Sequence, residues 1–373
     1  MAWLELPHQY QKGQGCRSRS RSSSASTTAS GERLTVEDGA SSVGSVSSQP
    51  VPLHDFFNFK DVQRWEKGRF RMEWMLRESS RTKSSVDHMY DATSSIHVAV
   101  KRIPNDWITE CHEHFKKKHG RQSHQPWVDL GCTAFLTSVG YPYVCSLLGV
   151  YRDSEATHIV TDLANEGDLL DFSSSCKVEP GPARESLMRP IAKQIMSAVQ
   201  HLHDLSIVHR DISLESFVVS RRAGDGAKQV QLISFGRSSC GRYIRGGAAR
   251  PSYEAPETHS GEVYDGFLSD AFSVGVALFG MLTQECPWMS TQQGRCKAFD
   301  FFQQKGFRAF AARRKCFKQG LTIADCMTEP LGQMLEGLLS TNPEERLTLG
   351  EAARFEGVDR KSVWDEPWVH GLP

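Results

Sequence analysis

From residue 70 the chain sets short apolar runs between polar clusters. Met72-Glu73-Trp74-Met75-Leu76, Val86 to Tyr90 and Ile96 to Ile103 have the length and texture of strands. Residues 127–139 place Leu130, Ala134, Phe135 and Leu136 at helical spacing. Val144 to Tyr151 and His158 to Leu163 predict two further strands. Then the period changes. Leu187, Ile191, Ile195 and Val199 recur every four residues with Met188, Ala192 and Met196 beside them, so one face of this helix is wholly apolar. Pro190 is expected to start or kink it, because proline has no N–H to donate. Ser216 to Ser220 and Gln229 to Ile233, on either side of Gly224-Asp225-Gly226, predict a hairpin. Ala271 to Thr283 is the most apolar stretch, too short to span a bilayer and suited to a buried core helix. What remains, to Pro373, reads as helix and loop. Strands early and helices late mean α+β, with a small sheet-rich lobe and a larger helical lobe.

Composition narrows this picture. With 39% apolar residues, the 373-residue chain can build a sizeable core. Its 44 basic and 44 acidic residues cancel, which removes any global attraction to nucleic acid or to a membrane surface. Residues 1–54 differ from the rest. Arg17-Ser18-Arg19-Ser20-Arg21-Ser22 opens a Ser/Thr/Gly/Ala tract running to Ser48. Apolar residues there are too sparse to offset ~1–2 kcal/mol of backbone entropy per ordered residue, so a disordered tail is expected. Its Arg-Ser alternation also suits a phosphoacceptor tract or an RNA-contacting segment. Met1-Ala2-Trp3-Leu4-Glu5 has neither the basic start nor the long apolar run of a secretory signal. Ten scattered cysteines without a CxxC pair then read as reduced thiols, so the expected location is cytoplasmic or nuclear. Cys111-His112-Glu113-His114 has metal-binding residue types, but Lys116-Lys117-Lys118 follows and no zinc-finger spacing completes it. It reads as a solvated polar segment.

Candidate chemistry lies in short motifs. Val98-Ala99-Val100-Lys101 ends the third expected strand. Val208-His209-Arg210-Asp211-Ile212-Ser213-Leu214-Glu215-Ser216 follows the long amphipathic helix, and Leu232-Ile233-Ser234-Phe235-Gly236 follows the hairpin. After these come Tyr253-Glu254-Ala255-Pro256-Glu257, Asp270-Ala271-Phe272-Ser273-Val274-Gly275 and Asn342-Pro343-Glu344-Glu345-Arg346-Leu347. Each is weak alone; in this order, each on its expected element, they are not accidental.

The series resembles the eukaryotic protein kinases over roughly residues 70–370. The resemblance implies a two-lobed kinase fold with a nucleotide cleft between an N-lobe at 55–163 and a C-lobe at 164–373. It implies that Lys101 reaches the α- and β-phosphates and that Asp211 accepts the substrate hydroxyl proton. Val86, Ala99 and Val218 would wall the adenine slot, Thr161 would be its gatekeeper and Asp162-Leu163-Ala164 its hinge. Asp168 would hydrogen-bond a ribose, and Glu257 would pair with Arg346 as a structural salt bridge. Leu136, Leu147, His209 and Phe235, anchored on Asp270, match the family's stacked spine.

The departures bear on function. The two family metal positions hold Ser216 and Ser234, and neutral hydroxyls are poor anchors for Mg²⁺. The three glycine-loop positions fall on Ser79, Arg81 and Ser84, where Arg81 or Lys83 would have to offer side-chain charge instead. The helix glutamate that grips the lysine maps to Cys132, with Asp129 one turn earlier as a substitute. The lysine common two residues after the catalytic Asp is Ser213. Packing positions are kept while electrostatic ones are lost. Any ATP is therefore expected to bind weakly, with Mg²⁺ doubtful as a cofactor. The implied function is a weakly active or inactive pseudokinase, a signalling scaffold or allosteric partner; the alternative is an active, divergent Ser/Thr kinase. Its expected partner is a protein substrate or protein partner and not a membrane, with nucleic acid left only to the Arg-Ser tract. Between Gly236 and Glu257, Arg237, Arg242, Arg245 and Arg250 form a solvated basic loop or a dock for an acidic segment, and by family pattern Arg210 would hold a phosphorylated residue.

Residues 1–54 generate one test. Hydrogen exchange should find fast amides throughout them; a protected stretch between Arg17 and Ser48 would overturn the expectation of disorder.

Overall fold

Six strands form one sheet in the order β1-β5-β6-β4-β3-β2. They are β1 Gln63–Arg64, β2 Phe70–Ser79, β3 Ser84–Asp91, β4 Ile96–Pro104, β5 Leu147–Arg152 and β6 Ala156–Asp162. This computed structural model describes residues 51–79, 84–120, 122–222, 224–247, 250–316, 320–352 and 360–371. The expected tail up to residue 50, Arg81 and Lys83 lie outside the described residues. All pairings are antiparallel except β1 with β5. Val86 faces Lys101, and Ala99 faces Thr161, so these four side chains share one side of the sheet. Val98, Val100 and Val160 point the other way and are buried.

Two helices follow β4: α1 His112–His119 and α2 Pro126–Ser138. The face of α2 carrying Leu130 and Leu136 is buried. The expected tail ends sooner than residue 54: Leu53–Phe56 forms a 3₁₀ turn, with Leu53 buried and the Phe56 ring 4.5 Å from Phe135 of α2, because these apolar side chains find a partner on the helix. Gly131 allows this approach, because a Cβ there would sit 2.1 Å from the Leu53 carbonyl oxygen. His112, from the polar cluster, stacks on His54 with ring centroids 4.0 Å apart.

The C-lobe begins with α3 Leu169–Ser175 and α4 Pro182–Asp204. The helix expected around Pro190 starts eight residues earlier, with Pro182 in its first turn, where a missing N–H costs nothing. Pro190 sits inside α4 on its exposed side, so its ring meets solvent. Ile191, Ile195 and Val199 are buried as the pattern predicts; Leu187 is 49% exposed and Met188 takes the inward position. The short strand β7 Ile207–Val208 leads to the hairpin β8 Phe217–Arg221 and β9 Lys228–Leu232, close to its predicted bounds. Two further strand pairs complete this region: β10 Ser239–Cys240 on β7, and β11 Tyr243–Arg245 on β12 Val263–Asp265. The rest is α5 Gly266–Thr283, α6 Lys297–Arg313, α7 Glu329–Leu338 and α8 Pro367–His370. By length and composition α5 could cross a membrane, but every residue in it except Ser269 and Gly280 is buried in the fold.

Two buried polar knots tie the C-lobe together. Arg346, fully buried, forks onto Glu257 (Nη1 at 2.5 Å, Nη2 at 2.9 Å) and donates to the Leu268 and Ser340 carbonyls. The second knot is His203, at the end of α4. Its Nε2 lies 3.2 Å from Asp270 and its Nδ1 2.7 Å from Glu351, with the ring stacked on Phe267. Burial opposes a charge on this imidazole, but the hydrogen bonds to Asp270 and Glu351 prevail and lift its pKa to about 9.

This His203 shift sets a pH dependence. A folded pKa above the ordinary value of 6.5 means the contribution is complete below about pH 6.5 and fades as pH rises through 9. Denaturant unfolding should therefore show stability falling by on the order of 1–3 kcal/mol across that window. His203→Gln should flatten the slope; an unchanged slope would assign it to another group.

Candidate active site

Lys101 leaves β4 on the side of the sheet shared with Val86 and Ala99. Its Nζ donates to Asp129 Oδ2 at 2.6 Å, so the helix carboxylate that meets it lies one turn before the position reading Cys132. Cys132 is wholly buried and its thiol is pushed well up by burial, which leaves no charge there. Asp129 also accepts the backbone N–H of Phe235. Burial opposes its ionisation, but Lys101, His124 and these hydrogen bonds hold the carboxyl below the ordinary range. One carboxylate thus joins the N-lobe lysine to the turn Phe235–Arg237.

Val86, Ala99, Thr161, Ala164 and Val218 are each half-buried, as walls of an open slot would be. The Asp162 carboxylate accepts the Ser146 N–H at 3.0 Å and is committed to the backbone. Asp168 caps α3 by accepting the Asp171 N–H at 2.9 Å. Its other oxygen lies 3.4 Å from Arg77 Nη1. Arg77 pairs with Val86 across β2 and β3, so its side chain reaches from the slot's side of the sheet to Asp168. The residue expected on the ribose is therefore already engaged by a helix end and an arginine.

Across from the lysine, Asp211 is half-buried beside Arg237, Arg250 and His209. Arg237 Nε lies 3.4 Å from Oδ2 and Arg250 Nε 3.9 Å from Oδ1. Arg250 also pairs closely with Glu215. Oδ1 of Asp211 is buried without a hydrogen bond. Burial lifts the Asp211 carboxyl above its ordinary range against the pull of His209, Arg237 and Arg250. His209 Nδ1 accepts the Asp211 N–H at 3.2 Å while Nε2 donates to the Ile233 carbonyl at 3.1 Å, the pattern of a neutral imidazole. Burial lowers its pKa accordingly, and its ring meets Phe235 edge-on at 5.4 Å. His209 is thus a packing residue, as the sequence predicts. Arg210 donates to the Gly246 carbonyl at 2.6 Å, and Arg242 and Arg245 pair with Asp265 and Glu262, so the basic loop is largely balanced within the chain.

A family model for the protein kinase domain matches residues 82–356. The chain belongs to the protein kinase family. Serine/threonine-protein kinase GIN4 of Saccharomyces cerevisiae is 26% identical over 239 residues, 63% of this chain and 19% of that protein. Probable serine/threonine-protein kinase MARK-A of Dictyostelium discoideum is 27% identical over 57% of this chain and 18% of its own length. CBL-interacting protein kinase 22 of Oryza sativa subsp. japonica is 26% identical over 86% of this chain and 65% of its own. The chain thus spans about a fifth of the first two relatives and under two thirds of the third.

Kinases hold Mg²⁺ with a carboxylate and an amide oxygen at the positions of Ser234 and Ser216. The residues here do not fit that ion. Ser216 is buried, and its hydroxyl accepts the Ser213 N–H and donates to the Ser213 carbonyl, both at 2.8 Å. Its oxygen is occupied by the loop it caps. Ser234 carries a neutral hydroxyl on a left-handed backbone, φ 72°, a conformation that costs a non-glycine residue ~1 kcal/mol or more. Among the described residues, no group of three or more His, Cys, Asp or Glu could hold a metal ion.

Sequence reasoning missed Arg77 and His124, and placed Arg237 and Arg250 in a basic loop without foreseeing their contact with Asp211. Each is visible as a charge or an imidazole, but none has a motif of its own. Gly236 admits His124, since a Cβ there would lie 2.1 Å from the imidazole. Burial pushes the His124 pKa down to about 4, helped by Lys101 and Arg237 against Asp129.

The Asp129 contact gives a direct test. Asp129→Asn should free Lys101 and weaken the grip on Phe235, lowering unfolding free energy by about 1–3 kcal/mol in denaturant titration. A loss under about 0.3 kcal/mol would mean that solvent already screens the pair.

Proposed function

We propose that this kinase-fold chain is a pseudokinase: it binds nucleotide weakly and nearly independently of Mg²⁺, transfers little phosphate, and acts as a signalling scaffold or allosteric partner of another protein. The observation that carries this reading is the loop-bound hydroxyl of Ser216 opposite a second hydroxyl at Ser234. Charge on the β- and γ-phosphates then lacks the dication that neutralises it in phosphoryl transfer, a loss worth several kcal/mol at the transition state. Of the chain's spine positions, Leu136, His209 and Phe235 are buried and Leu147 is half-buried, which suits a module whose shape is its output.

A second reading, an active and divergent Ser/Thr kinase, is favoured by the Lys101–Asp129 pair and by Asp211 Oδ1, which accepts no hydrogen bond. Transfer of labelled phosphate from ATP decides between the two. The proposed outcome is product near background, with ATP affinity changing less than tenfold on adding Mg²⁺. Ser234→Asp with Ser216→Asn should create Mg²⁺-dependent ATP binding, with little product. Turnover at an ordinary kinase rate of ~1–100 per second, abolished by Asp211→Asn, would replace the scaffold reading with the enzymatic one.

A further inference from the structure

The cleft has lost both metal anchors, yet a guanidinium stands on the same side of it. Arg237 ends the turn that begins at Phe235, three residues after Ser234. Its Nε lies 3.4 Å from Asp211 Oδ2, and its Nη2 donates to Ser123 Oγ at 3.0 Å. These contacts come from two walls, Asp211 from the loop after β7 and Ser123 from the loop before α2. The guanidinium is therefore fixed beside the carboxylate that, in this family, faces the transferred phosphate. Lys101 is held in the same cleft by Asp129. His124 touches the surroundings of both: its Nε2 lies 3.7 Å from Asp129 Oδ2, the partner of Lys101, and its ring packs on Gly236, the residue before Arg237. The cleft thus carries two fixed monovalent cations where the family uses one lysine and divalent metal.

We infer that Arg237, together with Lys101, takes over the charge-neutralising task of the divalent metal, so that the cleft binds a nucleoside polyphosphate as the metal-free anion. The inference rests on the proposed weak, metal-independent nucleotide binding and names the residue responsible for it. A guanidinium suits the task because its planar fork can bridge a carboxylate and a phosphate oxygen, and it never loses its charge. It is also less strongly hydrated than an ammonium, so less desolvation opposes the contact. A divalent ion bound to the same phosphates would be repelled by the adjacent guanidinium. Mg²⁺ should therefore leave the affinity unchanged or lower it. Two carboxylates, Asp129 and Asp211, balance the two cations in the empty cleft, which keeps the binding modest.

Calorimetric titration of the full chain in excess EDTA, with adenosine, AMP, ADP and ATP, tests this. Affinity should climb at least tenfold from adenosine to ATP. Arg237→Gln should remove most of the gain from adenosine to ATP, leaving the part that Lys101 supplies. Arg237→Lys, which keeps the charge and loses the fork, should retain part of the gain. Arg245→Gln, on an exposed side chain of the same segment, should leave the series unchanged. Equal affinity for adenosine and ATP in the unmodified chain would overturn the inference, as would an undiminished ATP preference in Arg237→Gln. If that variant fails to fold, the unmodified series and Arg237→Lys still decide. The labelled-phosphate assay run alongside separates the two levels of the argument: turnover at an ordinary rate sinks the scaffold reading alone, whereas loss of the phosphate series sinks the role of Arg237 alone.

Discussion

The fully buried carboxylate of Asp270 holds the C-lobe in register. It accepts the His209 N–H at 2.7 Å and the Arg210 N–H at 2.9 Å, and meets His203 Nε2 at 3.2 Å. An ionised carboxylate can lie that deep only if its oxygens are satisfied, and here backbone donors and an imidazolium satisfy them. One side chain of α5 thereby fixes the loop carrying Asp211 and the end of α4. Arg210 is held left-handed, φ 67°, a strain the two backbone hydrogen bonds can offset. Without this anchor neither Asp211 nor the turn at Phe235 has a defined place.

From that anchor the site is assembled by exchange of partners. Lys101 finds Asp129 one turn from the position reading Cys132, because a shorter carboxylate placed nearer the start of α2 can also accept the Phe235 N–H. Asp211 has no lysine at 213 and meets Arg237 and Arg250 from the following segment instead. Positive charge beside the catalytic loop is kept in amount but moved in origin. Charge can be resupplied from a different stretch of chain because Coulomb interactions depend on distance and dielectric, not on sequence order. A metal site has no such latitude, since it requires ligands of the right type at fixed distances.

Much of this was legible in the residues. Strand and helix periods located five of the sheet's six strands and α2, but the segment read as solvated and polar is α1, with His112 and Phe115 buried, and a proline inside α4 misled about where that helix begins. The ordered motifs identified the kinase fold, which the family match supports. Less legible were the side chains without motif context. Arg77 reads as a polar strand residue until pairing with Val86 puts it on the slot's side of the sheet, facing Asp168. His124 reads as loop until Gly236 opens a space for its ring.

The sequence by itself determined the α+β architecture, the family and the absence of acidic metal ligands at 216 and 234, because each follows from local pattern or from residue type at a motif position. The tertiary structure alone decided which charges meet. The Ser216 hydroxyl is consumed by Ser213, Asp168 by α3 and Arg77, and Asp211 is shared between two arginines. Such pairings join residues up to 91 positions apart in the chain. Their energies depend on ångström-scale distances and on burial, and neither quantity is written in the order of residues.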